Sequence, residues 1–312
     1  MKDATTILKR HPANPILKPQ DYPGVYTIFN PSPVLHEGKT ILLLSMAYWT
    51  SRTPETRVAV SDDGIHFTIA DEPFIKLDGL PYPYNIVCNN VIDNRVSRID
   101  DWYYILTPVS TDKYDTAVTL MGRTRDFKTY ELMDIVALPR NRGVSLFPGR
   151  IGGKYYRLDR PGAGTGCYGT IWLGSSPDLL HWGCFRPLLA PGYAKWNSTK
   201  IGPTPPIWTP QGWLVIVHGV RTPCDGAHYY IGAIMLGLEE PTKIIGKTSS
   251  YLLMPEADYE TRGTVDNVVF PCGAIADLEG DELRLYYGAA DTRIGLATGP
   301  LSEVIRACLE EL

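Results

Sequence analysis

The amino-acid sequence predicts an all-β fold, a five-bladed β-propeller, from two repeating features. A polar turn followed by a short run of aromatic and branched residues, typical of a buried strand, recurs along the chain. These runs lie at residues 41–44, 102–106, 154–158, 213–217 and 283–287. A second phrase closes each repeat, at residues 61–67, 124–127, 176–182, 238–241 and 299–301. Repeated small sheets that cannot bury both faces alone stack around a channel, so we expect the functional residues at one channel mouth.

The predicted blades follow one another along the chain, with proline and glycine at the joints, as turns require. Residues 1–25 are rich in proline and predict an extended lead-in. Residues 302–312 form a tail that can be a short helix. The blades themselves are predicted at residues 29–75, 91–138, 144–189, 201–245 and 268–298. No linker or low-complexity segment interrupts them, so we expect a single domain over residues 1–312.

Composition excludes several classes of partner. The 30 basic and 34 acidic residues give a net charge of −4 with no basic run, so we expect no nucleic-acid partner. No apolar signal core or membrane-spanning run is found, which predicts a cytoplasmic protein without membrane contact. The 6 cysteines make no C-x-x-C pair and no metal-ligand spacing with histidine. We therefore expect free thiols and no metal site.

The candidate functional residues are polar side chains at corresponding joints of the blades, since the common catalytic sequence motifs are missing. In chain order they are Asn30, Ser32, Asp93, Arg95, Arg142, Arg160, His218, Tyr229 and Asp291. Each alone has a structural explanation, because Asp before a strand often makes a turn and Arg often forms a surface ion pair. Five blades that each place polar residues at one mouth indicate a site.

The phrases around these residues resemble glycoside hydrolase family 130, the β-mannoside phosphorylases and related β-mannosidases. The resemblance runs over nearly the whole chain, from residues 11–17 to residues 286–298. Matching phrases between them lie at residues 87–105, 145–161, 171–183, 212–220 and 267–273. It implies a five-bladed propeller with a site specific for mannose in the glycone position, on the non-reducing side of the cleaved bond.

The resemblance also implies roles for the candidate residues. Asp93 matches the single catalytic acid of the family. The positions assigned to the substrate sugar are Asn30, Ser32, Arg95 and Asp291. The positions that match the cluster for inorganic phosphate are Arg142, Arg160, His218 and Tyr229. No cofactor or metal is implied, and inorganic phosphate is the co-substrate.

The chemistry of phosphorolysis fits these residue types. An inverting glycosidase needs one carboxyl group as acid and a second as base to activate water. Phosphate is already a nucleophile, so one carboxyl group suffices, and planar bidentate arginines suit the anion. In the family the acid is understood to relay its proton through the 3-hydroxyl of mannose. Asp93 would then have to be protonated, and burial among aromatics such as Tyr82 and Tyr84 would favour that form.

Three departures from the family pattern accompany the match. Ile92 and Asn94 flank the acid where the family has Glu and Pro. Ser45 begins a Ser-Met-Ala phrase in place of Arg-Val-Glu, and Asp159 replaces the His of His-Arg-Pro. These changes retain the positions that match the acid and the phosphate cluster, but they alter positions that match sugar contacts. They indicate an outlying member with an unusual aglycone, linkage or glycone.

The leading interpretation is inverting phosphorolysis of a β-mannoside, a manno-oligosaccharide or mannosyl disaccharide, to α-mannose 1-phosphate and a shortened acceptor. An inverting β-mannosidase is the alternative, and its base would come from Asp159, Glu256, Asp258 or Asp266. A sugar-binding propeller without catalysis is a third interpretation, which the presence of Asp93 disfavours. The expected partners are a small carbohydrate and inorganic phosphate. The linkage, the acceptor sugar and the oligomeric state, a homo-oligomer included, stay open.

Overall fold

A computed structural model of the protein describes residues 3–77, 79–81, 84, 90–111, 114–162 and 169–310. Within these residues the chain forms five antiparallel sheets, each of which corresponds to one repeat. The predicted five-bladed β-propeller is therefore confirmed.

The strands of the first three sheets follow chain order. A short strand, β1 (Lys9–Arg10), precedes them. The first sheet contains β2 (Val25–His36), β3 (Lys39–Tyr48), β4 (Glu55–Ser61) and β5 (Thr68–Ile69). The second contains β6 (Asn90–Val91), β7 (Arg95–Ile99), β8 (Trp102–Thr111), β9 (Tyr114–Thr124) and β10 (Glu131–Ala137). The third contains β11 (Ser145–Ile151), β12 (Lys154–Asp159), β13 (Ile171–Ser176) and β14 (Gly183–Leu189).

The last two sheets and two short helices complete the described chain. The fourth sheet contains β15 (Lys200–Pro203), β16 (Ile207–Thr209), β17 (Gly212–Arg221), β18 (His228–Leu236) and β19 (Ile244–Lys247). The fifth contains β20 (Val269–Pro271), β21 (Ile275–Asp277), β22 (Glu282–Ala289) and β23 (Arg293–Pro300), with β1 at its outer edge. The helices are α1 (Asp258–Thr261) and α2 (Leu301–Leu309).

One strand from the inner edge of each sheet contributes to a ring around the channel. Strand β2 lies against β7, β7 against β11, and β11 against β16. Strand β20 lies against β17 and β18 of the fourth sheet and against β2 of the first, which closes the circle. Every blade therefore has a neighbour on each face.

Burial on both faces explains why the strand runs are apolar at every position instead of at alternate ones. Successive side chains of a strand point to opposite faces of its sheet. On β3, Leu42 packs in a cluster with Tyr286 of the fifth sheet, whereas Leu43 packs with Ile105 of the second. Each fully buried leucine contributes about 1.5–3 kcal/mol to stability. The apolar runs thus hold neighbouring blades together.

The closing phrase of three repeats is a tight turn held by an aspartate. The Asp63 carboxylate accepts hydrogen bonds from the backbone amides two and three residues further on, both at 2.8 Å. Asp126 and Asp178 accept the same pair of bonds, at 2.8–3.0 Å. Hydrogen bonds of this kind let Asp replace backbone partners in a turn. These aspartates are therefore structural, and they repeat because the turn repeats.

The N-terminal segment is part of the fifth blade. Strand β1 pairs antiparallel with β23, with Lys9 opposite Thr298. The Arg10 guanidinium makes two 2.8 Å hydrogen bonds to the carboxylate of Glu260, which is 0% exposed. Glu260 also accepts a 2.6 Å bond from the Tyr287 hydroxyl. The sequence predicts an extended lead-in here, and the structure shows that β1, within that segment, pairs with β23.

Helix α2 occupies the predicted tail and buries its apolar face against β18 and β19. Among the described residues, no helix combines the length and apolar character needed to cross a bilayer. The cysteines that the structure describes form no disulfide; they are Cys184, Cys224, Cys272 and Cys308. Cys88 and Cys167 lie outside the described residues.

Candidate active site

A pocket of about 260 Å³ at the channel mouth brings together six of the nine predicted site residues. Those six are Asn30, Asp93, Arg142, Arg160, Tyr229 and Asp291. The remaining lining residues are Phe29, Ile92, Lys200, Val265, Val268 and Phe270. Each of the five blades or its adjoining loop contributes at least one side chain, so the pocket depends on closure of the ring.

Asp93 is held from two sides. Its Oδ1 accepts a 2.7 Å hydrogen bond from Asn30 Nδ2, and its backbone amide donates to Ser45 Oγ at 3.3 Å. Ser45 stands where the family pattern has Arg, and it is 0% exposed. The Ser45 hydroxyl thus holds the backbone of the Asp93 loop in place. The departure from the family therefore has a structural role.

Asn94, which stands where the family pattern has proline, fixes the Asp93 loop by side-chain hydrogen bonds. Its Nδ2 donates to Thr56 Oγ1 at 2.8 Å, and its Oδ1 accepts from Thr107 Oγ1 at 2.7 Å. Asn94 is 0% exposed. Proline restricts a loop through its ring, whereas this asparagine restricts it through two buried bonds.

Three polar residues of the pocket adopt left-handed backbone conformations. Their φ angles are 48° at Asn30, 54° at Asp93 and 46° at Asp291. Asn and Asp tolerate this region better than other residues that carry a Cβ atom. Such conformations persist only where the surrounding structure imposes them, and they concentrate at functional sites. Here they turn three side chains, one from strand β2 and two from loops, toward the same pocket.

A cluster of three cations, Arg142, Arg160 and Lys200, lines another part of the pocket. Within the described residues none of the three forms an ion pair. The Lys200 ammonium donates to Tyr229 Oη at 3.1 Å. Burial, and after it the charge of Arg160, lowers the pKa of Lys200 to about 7. The pocket therefore holds more positive charge than its own residues neutralise.

Arg160 stays cationic at neutral pH despite its surroundings. Burial, followed by the charges of Arg95 and Arg142, lowers its pKa to about 10. Its Nε is buried and has no hydrogen-bond partner among the residues described. A buried guanidinium N–H without a partner costs free energy unless a bound group accepts from it.

His218 lies directly behind this cluster. It is 0% exposed, and neither ring nitrogen has a hydrogen-bond partner within the described part of the chain. Its ring centroid is 4.6 Å from that of Phe270. Burial, and then the charge of Lys200, lowers its pKa well below the usual value, so the imidazole is neutral. A Cβ atom on Gly202 would lie 2.4 Å from His218 Cε1, so this approach requires glycine.

Asp291 is the second carboxyl group of the pocket. Burial, and after it the negative charge of Asp93, raises the pKa of Asp291 to about 7. The positive charges of Lys200 and Arg142 oppose that shift. Its backbone carbonyl accepts a hydrogen bond from Thr27 Oγ1, which ties the loop after β22 to β2. A neutral Asp291 can therefore donate as well as accept.

Two predicted substrate contacts do not line the pocket. Ser32 is 1% exposed, and its Oγ accepts from the Val96 amide at 3.3 Å. Arg95 is also 1% exposed and donates to the backbone carbonyls of Asp93, at 2.7 Å, and Pro203, at 3.3 Å. Arg95 therefore links the backbone of the Asp93 loop to β15.

The expected aromatic surroundings of Asp93 also differ. The Tyr84 hydroxyl donates to Asp134 Oδ1 at 3.2 Å, and Tyr84 does not line the pocket. Tyr82 lies outside the described residues. Phe29, Ile92 and Phe270 supply the apolar wall instead.

Lys200 is the pocket residue that sequence reasoning missed. It begins β15, the joint before the fourth strand run, just as Arg142 precedes the third. The pattern of polar residues at the joints therefore includes Lys200. The residues predicted from the sequence for this blade, His218 and Tyr229, both follow the fourth run.

Comparison with known proteins places this geometry in a family. The family model described as β-1,4-mannooligosaccharide phosphorylase, of glycoside hydrolase family 130, matches residues 7–310. The β-1,2-mannobiose phosphorylase of Listeria innocua is 38% identical over 252 residues, which cover 80% of this chain and 67% of that protein. The β-1,4-mannooligosaccharide phosphorylase of Ruminococcus albus is 32% identical over 317 residues, covering 97% and 91%.

The solved structures agree with the sequence comparison. The complex of the Listeria innocua β-1,2-mannobiose phosphorylase with β-1,2-mannobiose superposes with a TM-score of 0.85 and 29% identity. That superposition covers 97% of this chain and 99% of the other. From its sequence along nearly its full length and from its fold, the chain belongs to glycoside hydrolase family 130.

Proposed function

We propose that the protein catalyses inverting phosphorolysis of a β-mannoside and releases α-mannose 1-phosphate and a shortened acceptor. The observation that carries the proposal is the cluster of Arg142, Arg160 and Lys200, which shares one small pocket with Asp93. None of the three cations has an ion-pair partner in the part of the chain described. A bound anion would satisfy them.

Inorganic phosphate fits this cluster in charge and hydrogen bonding. It carries between one and two negative charges at neutral pH, and such a charge enters a partly desolvated pocket only against cations. Two guanidinium groups can bind its oxygens in bidentate fashion, and Lys200 adds a point charge. The Tyr229 hydroxyl lines the same pocket, and neutral His218 lies behind it with a ring N–H to donate. No metal is needed to create the nucleophile, because phosphate already is one.

Asp93 is the proposed acid. A phosphate oxygen attacks C1 of the mannosyl unit as the bond from C1 to the glycosidic oxygen breaks. The proton of Asp93 passes through the sugar 3-hydroxyl to the departing oxygen, which leaves as the acceptor hydroxyl. Attack from the face opposite the leaving group inverts the configuration from β to α. Asn30, which donates to Asp93 Oδ1 at 2.7 Å, keeps the carboxyl group oriented.

A hydrolytic reaction is the alternative, and one observation bears on it. Asp159 faces Arg157, and Glu256 pairs with Arg10. Together with Asp258 and Asp266, these four carboxylates do not line the pocket. Of the described carboxylates, Asp291 shares the pocket with Asp93. A mannosidase would therefore use Asp291 as its base, and the pKa of about 7 permits that role.

The test is phosphate dependence on a panel of β-1,2-, β-1,3- and β-1,4-linked manno-disaccharides. Mannose 1-phosphate and free mannose are quantified with and without inorganic phosphate, and NMR assigns the anomer. We expect α-mannose 1-phosphate on at least one substrate and no turnover without phosphate. Equal release of free mannose in phosphate-free buffer would establish the mannosidase instead. The Asp93→Asn variant, which should form neither product, controls for contaminating activity.

A further inference from the structure

The two phosphate-facing arginines each follow a residue of one buried hydrogen-bonded pair. Asn141 precedes Arg142, and Asp159 precedes Arg160. Asn141 Nδ2 donates to Asp159 Oδ1 at 2.7 Å, and the two residues are only 9% and 2% exposed. We propose that the Asn141–Asp159 pair sets the spacing of the two arginines and thereby the affinity for phosphate. The proposal rests on the proposed function.

Asn141 links the two arginine segments directly. Its Oδ1 accepts from the backbone amide of Arg160 at 3.3 Å, while its Nδ2 holds Asp159. Its own carbonyl accepts from Thr119 Oγ1 at 2.8 Å, which ties the segment to β9. One side chain therefore fixes both the carboxylate before Arg160 and the amide of Arg160 itself.

Asp159 is fixed on its other side. Its Oδ2 accepts from Arg157 Nε at 2.9 Å, and Arg157 Nη1 donates to the Val136 carbonyl at 2.7 Å. The Arg157 guanidinium lies 4.4 Å from the ring centroid of Trp182. With both oxygens engaged, the Asp159 carboxylate has one orientation.

The segments of the two arginines are in direct contact. A Cβ atom on Gly143 would lie 2.7 Å from Arg160 Cβ, so the backbone after Arg142 passes immediately beside the Arg160 side chain. Behind the pair lies a cavity of about 640 Å³ between the second and third blades, lined by Asn141, Arg157 and Asp159. Among the residues that the structure describes, no side chain fills that space to take over if the pair is broken.

Asn141 and Asp159 do not line the active-site pocket, so they are positioning residues. Bidentate recognition of an anion depends on placing the donors to within about 0.5 Å, and small displacements cost affinity and rate. Loss of the pair should therefore weaken phosphate binding, while contacts to the sugar from Asn30 and Asp291 remain in place.

The test compares Asn141→Ala with a matched control, Asn14→Ala. Both asparagines bond nearby structure through their side chains. Asn14 bonds the Leu296 backbone at 2.8 and 2.9 Å and the Tyr287 hydroxyl at 3.4 Å, and it does not line the pocket. Calorimetry with inorganic phosphate gives Kd, and steady-state kinetics gives KM for phosphate and for the mannoside. For Asn141→Ala we expect Kd and KM for phosphate to rise about tenfold and KM for the mannoside to change less than twofold. For Asn14→Ala we expect a comparable fall in Tm with unchanged phosphate affinity.

A second variant supplies a readout that a merely structural role would not move. Asn141→Asp keeps the acceptor for the Arg160 amide but sets a carboxylate against Asp159. The two would repel when both are ionised and would share a proton at lower pH. The ratio of its phosphate Kd to that of the wild type should fall toward one as the pH is lowered.

The inference is overturned if folded Asn141→Ala binds phosphate within twofold of the wild type, or if Asn14→Ala weakens it equally. If Asn141→Ala does not fold, Asn141→Asp decides, and a Kd ratio that is flat with pH rejects the pair's role. A wild-type enzyme that turns over without phosphate rejects the proposed function. In that case the calorimetric Kd for phosphate still tests the role of the Asn141–Asp159 pair.

Discussion

Lys200 gives the sharpest prediction, because its charge state lies at the midpoint of titration near neutral pH. The perturbation is Lys200→Met, which removes the ammonium and keeps a similar side-chain length. The control is Lys195→Met, an exposed lysine five residues earlier. Sulfate is the probe, since it keeps two negative charges over the whole pH range and reports only protein titration.

The magnitude follows from the pKa of about 7 for Lys200. About nine-tenths of the molecules carry a charged Lys200 at pH 6 and about one-tenth at pH 8, so if only the charged form binds well, the Kd for sulfate rises about tenfold. Asp291, whose pKa is also about 7, steepens the pH dependence of the sulfate Kd, because Asp291 becomes negative over the same pH range. Both titrations therefore weaken anion binding as the pH rises. In Lys200→Met, loss of a hydrogen bond to a charged group should weaken sulfate binding by about 10–100-fold at pH 6.

The assay is calorimetric titration of sulfate from pH 6 to pH 8 in buffers of constant ionic strength. We expect the variant to show a flatter pH dependence than the wild type, and the slope that remains belongs to Asp291. Lys195→Met should follow the wild type. A Lys200→Met protein that binds sulfate within twofold of the wild type at pH 6, with the same slope, would refute the argument.

Three further predictions concern the proposed acid, the phosphate cluster and the ion pair between Arg10 and Glu260. Asp93→Asn should lower turnover by about 10²–10⁴-fold and leave Tm unchanged, because an amide cannot deliver a proton; near-normal rates would locate the acid elsewhere. Arg160→Met should raise KM for phosphate far more than KM for the mannoside, and equal changes in both would remove Arg160 from the phosphate site. Arg10→Met should lower the free energy of unfolding by about 3 kcal/mol in urea titrations, since it leaves the 0% exposed Glu260 without its cation. A loss below about 1 kcal/mol would show that the pair contributes little.

The blades were predictable because each strand run carries its own signal. The run at residues 213–217 lies inside β17, which is buried at nine of ten positions, and such a run is apolar whatever lies beside it. The convergence of Asn30, Asp93 and Asp291 followed from the repeat, because corresponding joints share one mouth. The apolar strand runs and the equivalence of the five repeats were sufficient for these two predictions.

Ser32 and Arg95 were predicted to contact the sugar, but neither lines the pocket. Their positions depend on backbone geometry that no local sequence pattern encodes. Side chains two apart on a regular strand share a face, so Asn30 and Ser32 should point the same way. The pairing of β2 with β3 shifts register between Phe29 and Ser32, and the bulge turns Ser32 toward the Val96 amide. Arg95 is similarly displaced, because the left-handed backbone at Asp93 changes the direction of the chain before it. Lys200 is different: it fits the joint pattern, but it precedes the fourth strand run, whereas the residues predicted for that blade, His218 and Tyr229, follow the run.

The strand that completes the fifth blade has a consequence for the timing of folding. Lys9 leaves the ribosome long before its partner, Thr298, because four blades and most of the fifth lie between them in the sequence. At about 5–20 residues per second, β1 waits on the order of half a minute for β23 to be synthesised. During that interval the exposed edges of the growing sheets, and the unpaired β1, are open to wrong pairings. The active-site pocket, which draws on all five blades, cannot assemble before the fifth blade has been synthesised.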